Sequence, residues 1–197
     1  MADTKLGNIL PIFSTILYPA EFKVSNKQRN DLISVAQNMK WQEQDEVDNV
    51  RSKSLHVIKE HKELYWLGQS IFESFNTFKN EVLRFEETEF VMTTSWMTYT
   101  PPGLGSSTHN HNNSMWSGVF YFCNEESKNT GIRFGDFQNK MNGFTLQPTE
   151  YNVWNCSSYD WYPRNNSVIF FPSQTPHTVL PNKGNNIRLN TSYNFIY

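Results

Sequence analysis

Three of the five histidines lie in two short segments whose residue types can hold a metal ion. The first segment is Thr108-His109-Asn110-His111, just ahead of the strand-like run Trp116-Ser117-Gly118-Val119-Phe120-Tyr121-Phe122. Side chains at i and i+2 of an extended chain point to one face, so His109 and His111 project together. The second segment is Phe170-Phe171-Pro172-Ser173-Gln174-Thr175-Pro176-His177. There an apolar strand and a proline-punctuated turn deliver His177. Two neutral imidazoles at this spacing suit Fe(II), Zn(II) or Ni(II). A third imidazole from a neighbouring strand completes a facial set and leaves coordination positions open for a cosubstrate and O₂. Each histidine alone is more often a solvated or structural residue; the joint pattern carries the chemistry. His56 and His61 stand outside it and read as surface or capping residues.

Eleven residues after His177 comes Arg188, on the strand pattern Arg188-Leu189-Asn190-Thr191-Ser192-Tyr193-Asn194-Phe195. Leu189, Thr191, Tyr193 and Phe195 share one face, and Arg188, Asn190, Ser192 and Asn194 share the other. A polar face turned inward is costly unless it binds something polar. A guanidinium there suits bidentate capture of a carboxylate. The other reading of this stripe is a face turned out to water.

These residues need a β scaffold, and the chain after residue 89 supplies strand signals. Candidates are 90–100, 116–123, 131–137, 149–156, 167–172, 177–181 and 187–197, with Pro101-Pro102-Gly103, Asn142-Gly143 and Asn182-Lys183-Gly184 in the gaps. That spacing predicts a jelly-roll barrel or sandwich. Ahead of it, residues 9–18 read as an edge strand that tolerates Pro11. Ser25 or Asn26 caps a helix to about Met39, with Leu32, Ile33, Val35 and Ala36 as its apolar stripe. Residues 40–54 are polar and read as a long loop. A second helix spans about Lys62 to Arg84, and Leu64, Leu67, Ile71, Phe75, Phe78 and Val82 form a stripe for packing against a sheet. There is no internal repeat or linker. The expected organisation is one domain over 1–197, with helical support at about 20–88 and the barrel at about 89–197.

Composition narrows the function classes. The formal net charge of -2, with no run of basic residues, gives no electrostatic footprint for duplex DNA or an anionic membrane. No stretch approaches the roughly 20 apolar residues of a membrane span. The polar start Met1-Ala2-Asp3-Thr4-Lys5 does not read as a signal peptide. Cys123 and Cys156 lack metal-ligand spacing and read as reduced thiols, so a cytoplasmic protein is expected.

The series H-x-H, S-G-V-F-Y, F-F-P-S, H and R resembles the 2-oxoglutarate/Fe(II)-dependent oxygenase superfamily. It is most similar to a small 2OG-Fe(II) oxygenase group with members in marine bacteria and their phages. If the chain is phage-encoded, the expected setting is the host cytoplasm. The resemblance runs over nearly the whole chain and includes Ser95-Trp96 ahead of the first ligands. It implies a mainly β, double-stranded β-helix fold with buttressing N-terminal helices. It implies Fe(II) on His109, His111 and His177, and Arg188 as partner of the 2-oxoglutarate C5 carboxylate. Tyr121 matches a position where prolyl-hydroxylase-like members place a tyrosine on that carboxylate; Tyr99 is a further candidate for the cosubstrate pocket. Asn190 falls where many relatives have serine. The reaction implied is hydroxylation with release of succinate and CO₂. One departure stands out: the superfamily's second ligand is usually Asp or Glu, and here it is His111. A neutral ligand leaves the iron site one charge more positive. The alternatives are a shifted ligand such as Asn113, or only two protein ligands.

Two rival classes share the barrel. A cupin with three histidines needs no 2-oxoglutarate, but the usual cupin glutamate is missing from Asn112-Asn113-Ser114-Met115-Trp116. A non-catalytic jelly roll needs neither metal nor cosubstrate. For the oxygenase, a protein side chain or a small metabolite is the expected substrate, rather than nucleic acid. Asn152, Trp154, Tyr159, Trp161 and Tyr162 either line its pocket or belong to the core.

Overall fold

The computed structural model describes residues 14–43, 48–85, 87–123, 130–135, 149–152 and 155–197. Two antiparallel sheets face each other. The larger has six strands in the order β1-β7-β4-β9-β3-β2, namely β1 (Tyr18–Glu21), β7 (Ser167–Pro172), β4 (Trp116–Cys123), β9 (Arg188–Ile196), β3 (Val91–Thr100) and β2 (Val50–Arg51). The smaller has β6 (Ser158–Trp161), β5 (Ile132–Gly135) and β8 (His177–Val179), with β5 in the middle. This is the expected double-stranded β-helix with helical support.

Strand alternation gives the large sheet two different faces. Its convex face carries Trp116, Phe120, Phe122, Phe170, Tyr193 and Phe195, all buried against the helices. Ser25 caps helix α1 (Asn26–Gln37) through a reciprocal box with Gln28, and Leu32, Val35 and Ala36 face inward. Helix α3 (Tyr65–Phe78) buries Leu67, Ile71, Phe75 and Phe78; Phe75 stacks on Phe195 with centroids 4.4 Å apart. The apolar stripe stops there. Residues Lys79–Leu83 form a π turn, whose i→i+5 bonds shift the phase, and Val82 is left 51% exposed. A short helix α2 (Val57–Glu60) adds Val57 and Ile58 to this core. The concave face packs Val119, Tyr121, Ile169 and Phe171 against Ile132 and Phe134 of the small sheet.

Gly118 marks a close approach on the convex face. A Cβ built there would lie 2.3 Å from the ring of Tyr193, which is fully buried. Gly118→Ala therefore forces a core ring to move, and we expect a loss of roughly 1–3 kcal/mol. A fall in the urea midpoint with unchanged m-value checks it; an unchanged midpoint contradicts the close packing.

Three expectations about elements need correction. The N-terminal edge strand lies later than 9–18: it begins at Tyr18 and pairs with β7 through Tyr18↔Phe170, and residues 9–13 lie outside the described set. No strand forms among the described residues of 149–156. There Asn155 Nδ2 donates to the Glu150 carbonyl and the Asn152 amide donates to Asn155 Oδ1. Such side-chain bonds to the backbone compete with a ladder. The strand instead runs over Ser158–Trp161. Finally, the segment 40–54 is not all loop, because Val50 and Arg51 pair with Tyr99 and Thr98 as the edge of the large sheet.

Candidate active site

The concave face of the large sheet is the floor of a cavity of about 480 Å³. Register sets its pattern row by row. One row across the strands reads Arg51, Thr98, Asn190, Tyr121; the next reads Trp96, Ser192, Val119; the third reads Thr94, Asn194, Ser117. The polar stripe of β9 thus faces inward, with Arg188, Asn190 and Ser192 buried, and the reading of a face turned out to water does not hold. Its alternate residues Leu189, Tyr193 and Phe195 pack toward the helices.

The three histidines come together at the wall opposite. His109 and His177 pair backbone to backbone in both directions, which adds the 107–109 segment to the edge of β8. One ring nitrogen from each of His109, His111 and His177 falls within 4.8 Å of the others. His109 Nδ1 donates to the Ser107 carbonyl and His177 Nδ1 to the Thr175 carbonyl, each at 2.9 Å. A carbonyl only accepts, so both Nδ1 atoms hold a proton and each neutral ring carries its lone pair on Nε2; in the metal-free site the His177 Nε2 lone pair accepts from His111 Nε2, and a metal would take its place. His111 Nε2 sits 3.2 Å from His177 Nε2. With these lone pairs converging, the donor set fits a facial three-nitrogen metal site.

The loop carrying His111 is tied down from beneath. The His111 amide donates to the carbonyl of Ser173, a residue with no exposed surface. The Ser173 hydroxyl bonds Ser114 and Ser117, and Ser117 continues to Asn194 and Thr94. Trp96 stacks on His111 at 5.5 Å, and Phe171 meets His177 edge-on at 4.8 Å.

Burial keeps His111 and His177 neutral. Loss of water, with the nearby His109, pushes His111 down from 6.5 to about 4, and the Arg51 charge adds to this. The same burial and His109 push His177 to about 3, against the Thr175 carbonyl, which raises it. In the unfolded chain both take up a proton near 6.5, so below that pH the unfolded state binds more protons and stability falls. We expect the metal-free protein to lose on the order of 3 kcal/mol per histidine between about pH 6.5 and 4. Melting curves across that range check this. A His111→Asn/His177→Asn variant should show a shallower decline, and an identical decline would contradict it.

Arg188 is 2% exposed. Its Nη2 has a long 3.4 Å contact with Thr100 Oγ1, while Nε and Nη1 have no partner. Its guanidinium carbon lies 5.1 Å from the centre of the Tyr121 ring. Burial pulls the guanidinium pKa down, partly offset by Tyr121; burial raises the Tyr121 phenol, against the pull of Arg188. Asn190 donates to Ser192 Oγ but leaves its own Oδ1 unpaired. A buried guanidinium with free donors, opening on a polar cavity, fits an incoming carboxylate.

Not every candidate reaches the cavity. Tyr99 sits on the other face of β3 from Thr98 and meets Trp41 edge-on at 4.8 Å, so the structure does not bring it to the cosubstrate pocket. Asn152, Tyr159, Trp161 and Tyr162 do not line the cavity; Trp161 flanks the concave core, and Tyr159 and Tyr162 are 51% and 41% exposed. Trp154 lies outside the described residues. The mouth is lined instead by Gln42, Asp48, Asn49, Arg51 and Leu55. Sequence reasoning missed them because an aperiodic polar segment carries no sign of what it faces.

The double-stranded β-helix and its three-histidine pocket define a non-haem metal oxygenase type of fold and site. The family described as "Putative 2OG-Fe(II) oxygenase" matches residues 94–194, and the chain belongs to that family. Its cofactor is Fe(II) and its cosubstrates are 2-oxoglutarate and O₂. No curated protein sequence matches the chain. Solved structures share the fold at low identity. A Pseudomonas putida prolyl-4-hydroxylase aligns at 15% identity over 91% of either chain, with a TM-score of 0.60. A Trichoplax adhaerens prolyl hydroxylase, in complex with a hypoxia inducible factor peptide fragment, aligns at 11% identity over 91% of this chain and 83% of its own, with a TM-score of 0.64. HygX from Streptomyces hygroscopicus, with nickel, 2-oxoglutarate and hygromycin B bound, aligns at 8% over 92% of this chain and 82% of its own, also at 0.64.

Proposed function

We propose that the protein is a hydroxylase acting on a small metabolite or a protein side chain, with His109, His111 and His177 as its iron ligands. The observation that carries this reading is the pairing of two sites in one cavity: converging imidazole lone pairs, and a buried guanidinium with free donors. When bound, iron and 2-oxoglutarate would activate O₂, the oxidant: one oxygen atom goes into succinate as 2-oxoglutarate loses CO₂, and the other goes into the substrate hydroxyl. The protein's part is to bind and orient. Arg188 takes the C5 carboxylate of the cosubstrate bidentately, and the Tyr121 ring holds the guanidinium in place. Asn190 offers an acceptor and a donor along the floor. His109 and His177 keep their Nδ1 protons on backbone carbonyls, which fixes the tautomer that offers Nε2 to a metal and orients each ring. The apolar rings of Trp96 and Phe171 lie against His111 and His177 and shield these two imidazoles from water, so both stay neutral. The helices and the barrel act as one unit in this reading, because the convex core joins them.

No described helix is long and apolar enough to cross a membrane. We infer a cytoplasmic setting, which suits the free thiol of Cys156.

Anaerobic calorimetry of 2-oxoglutarate binding to Mn(II)-loaded protein tests the site. Binding that requires the metal supports it. A folded, metal-loaded protein that takes no 2-oxoglutarate overturns it.

A further inference from the structure

We propose that the primary substrate carries an oxyanion group, a carboxylate or a phosphate, which the guanidinium of Arg51 holds at the mouth of the cavity. This rests on the oxygenase site described above. Arg51 pairs across β2 and β3 with Thr98, and directly opposed residues of antiparallel strands point to the same face. Thr98 lines the cavity, so the backbone commits Arg51 to that side, and its side chain lines the cavity too.

Arg51 and Arg188 are the only cations among the described residues lining the cavity. They differ in what can reach them. Arg188 lies on a central strand and is sealed at 2% exposure, so it suits a cosubstrate bound deep in the pocket. Arg51 lies on the edge strand and is exposed; its backbone carbonyl accepts from the Gln42 amide, but its guanidinium has no hydrogen-bond or ion-pair partner among the described residues. Two strands across and two residues along separate their backbones, about 12 Å from strand spacing and rise. The two guanidinium groups thus provide separate anchoring points, one deep and one at the lip.

The acid at the mouth, Asp48, forms no ion pair with Arg51 among the described residues. Asp48 Oδ1 accepts the Ser107 amide and so holds the segment leading to His109. Beside Leu55, the polar groups around Asp48 and Arg51 are amides, from Gln42, Asn49 and Asn110, with Trp96 also lining the cavity. Amides supply hydrogen bonds without selecting charge, which leaves Arg51 as the group there able to attract an anion. The competing role for an edge-strand arginine is to block pairing with another chain, which requires no ligand.

The test uses full-length protein loaded with Mn(II) and 2-oxoglutarate, without O₂, and calorimetry against two probe sets. One set is the free amino acids beside their amides; the other is the four ribonucleoside 5′-monophosphates beside their nucleosides. The same probes are then run in air with Fe(II), reading succinate. We expect at least one anionic probe to bind and to quicken succinate formation, while its counterpart lacking the anion does neither. Arg51→Gln should weaken that binding at least tenfold and leave 2-oxoglutarate affinity within twofold. Which set responds tells carboxylate from phosphate. Protein that binds 2-oxoglutarate but takes no anionic probe overturns the proposal. So does equal binding of the counterparts, or equal binding by Arg51→Gln. Wild-type protein that binds no 2-oxoglutarate overturns the underlying oxygenase site, and this proposal with it.

Discussion

Replacing Arg188 with Met is expected to abolish 2-oxoglutarate binding while making the ligand-free protein more stable. The two effects have one cause. The guanidinium is buried, and its Nε and Nη1 donors have no partner, so its desolvation is uncompensated in the free protein. Replacing a buried charge by a hydrophobic group of similar volume is often stabilising by about 1–4 kcal/mol. With the cosubstrate present the sign reverses. Removing one partner of a buried, bidentate carboxylate pair costs roughly 3–5 kcal/mol, or at least about two orders of magnitude in affinity. Calorimetry and thermal melts with and without 2-oxoglutarate read both signs. A variant that still binds 2-oxoglutarate with metal would remove Arg188 from the site. A variant less stable than wild type without ligand would show that the guanidinium has a structural partner after all.

His177→Ala is expected to lose metal loading and, with it, all 2-oxoglutarate turnover. His177 is the most buried of the three imidazoles at 4% exposure, held by its Nδ1 bond to the Thr175 carbonyl and by Phe171. Outer-shell changes alone typically cost 10–100-fold in metal affinity, so removing a ligand should cost at least about a hundredfold. The Ala variant also leaves a hole beside Phe134 and Phe171. His177→Gln keeps most of the volume and separates packing from coordination: it should fold as wild type does and still load metal poorly. Mn(II) titration followed by electron paramagnetic resonance measures it. Wild-type affinity in both variants would exclude His177 as a ligand. His111→Asp should retain metal, because it restores the carboxylate usual at that position, whereas His111→Ala should not.

The extent to which the site was legible follows from what each residue depends on. His109, His111 and His177 could be picked out because ligand chemistry narrows residue types and period 2 places an H-x-H pair on one face. The β9 alternation was legible for the same reason, and Leu189, Tyr193 and Phe195 do pack on the side away from Arg188 and Asn190. Tyr99 was misjudged because nearness in sequence to His109 says nothing about which face of β3 it occupies. The strand expected at 149–156 failed because the turn there is made by side chains bonding the backbone, which apolar patterning does not register.

By itself, then, the sequence determined the local alternation of strands, the capped first helix, the aromatic stripe of the third, and the inventory of groups able to bind metal and carboxylate. These depend on residue type and near neighbours, through the fixed periods of strand and helix. The tertiary structure decided which of two faces looked inward, that the Nε and Nη1 donors of Arg188 were left without a partner, and that the polar segment around Arg51 came to lie at the mouth of the cavity. Those outcomes depend on pairing between strands far apart in the chain, such as Arg51 with Thr98 and Thr98 with Asn190. Pairing register is a property of two segments at once, and a shift of one residue would have turned every one of those side chains to the opposite face.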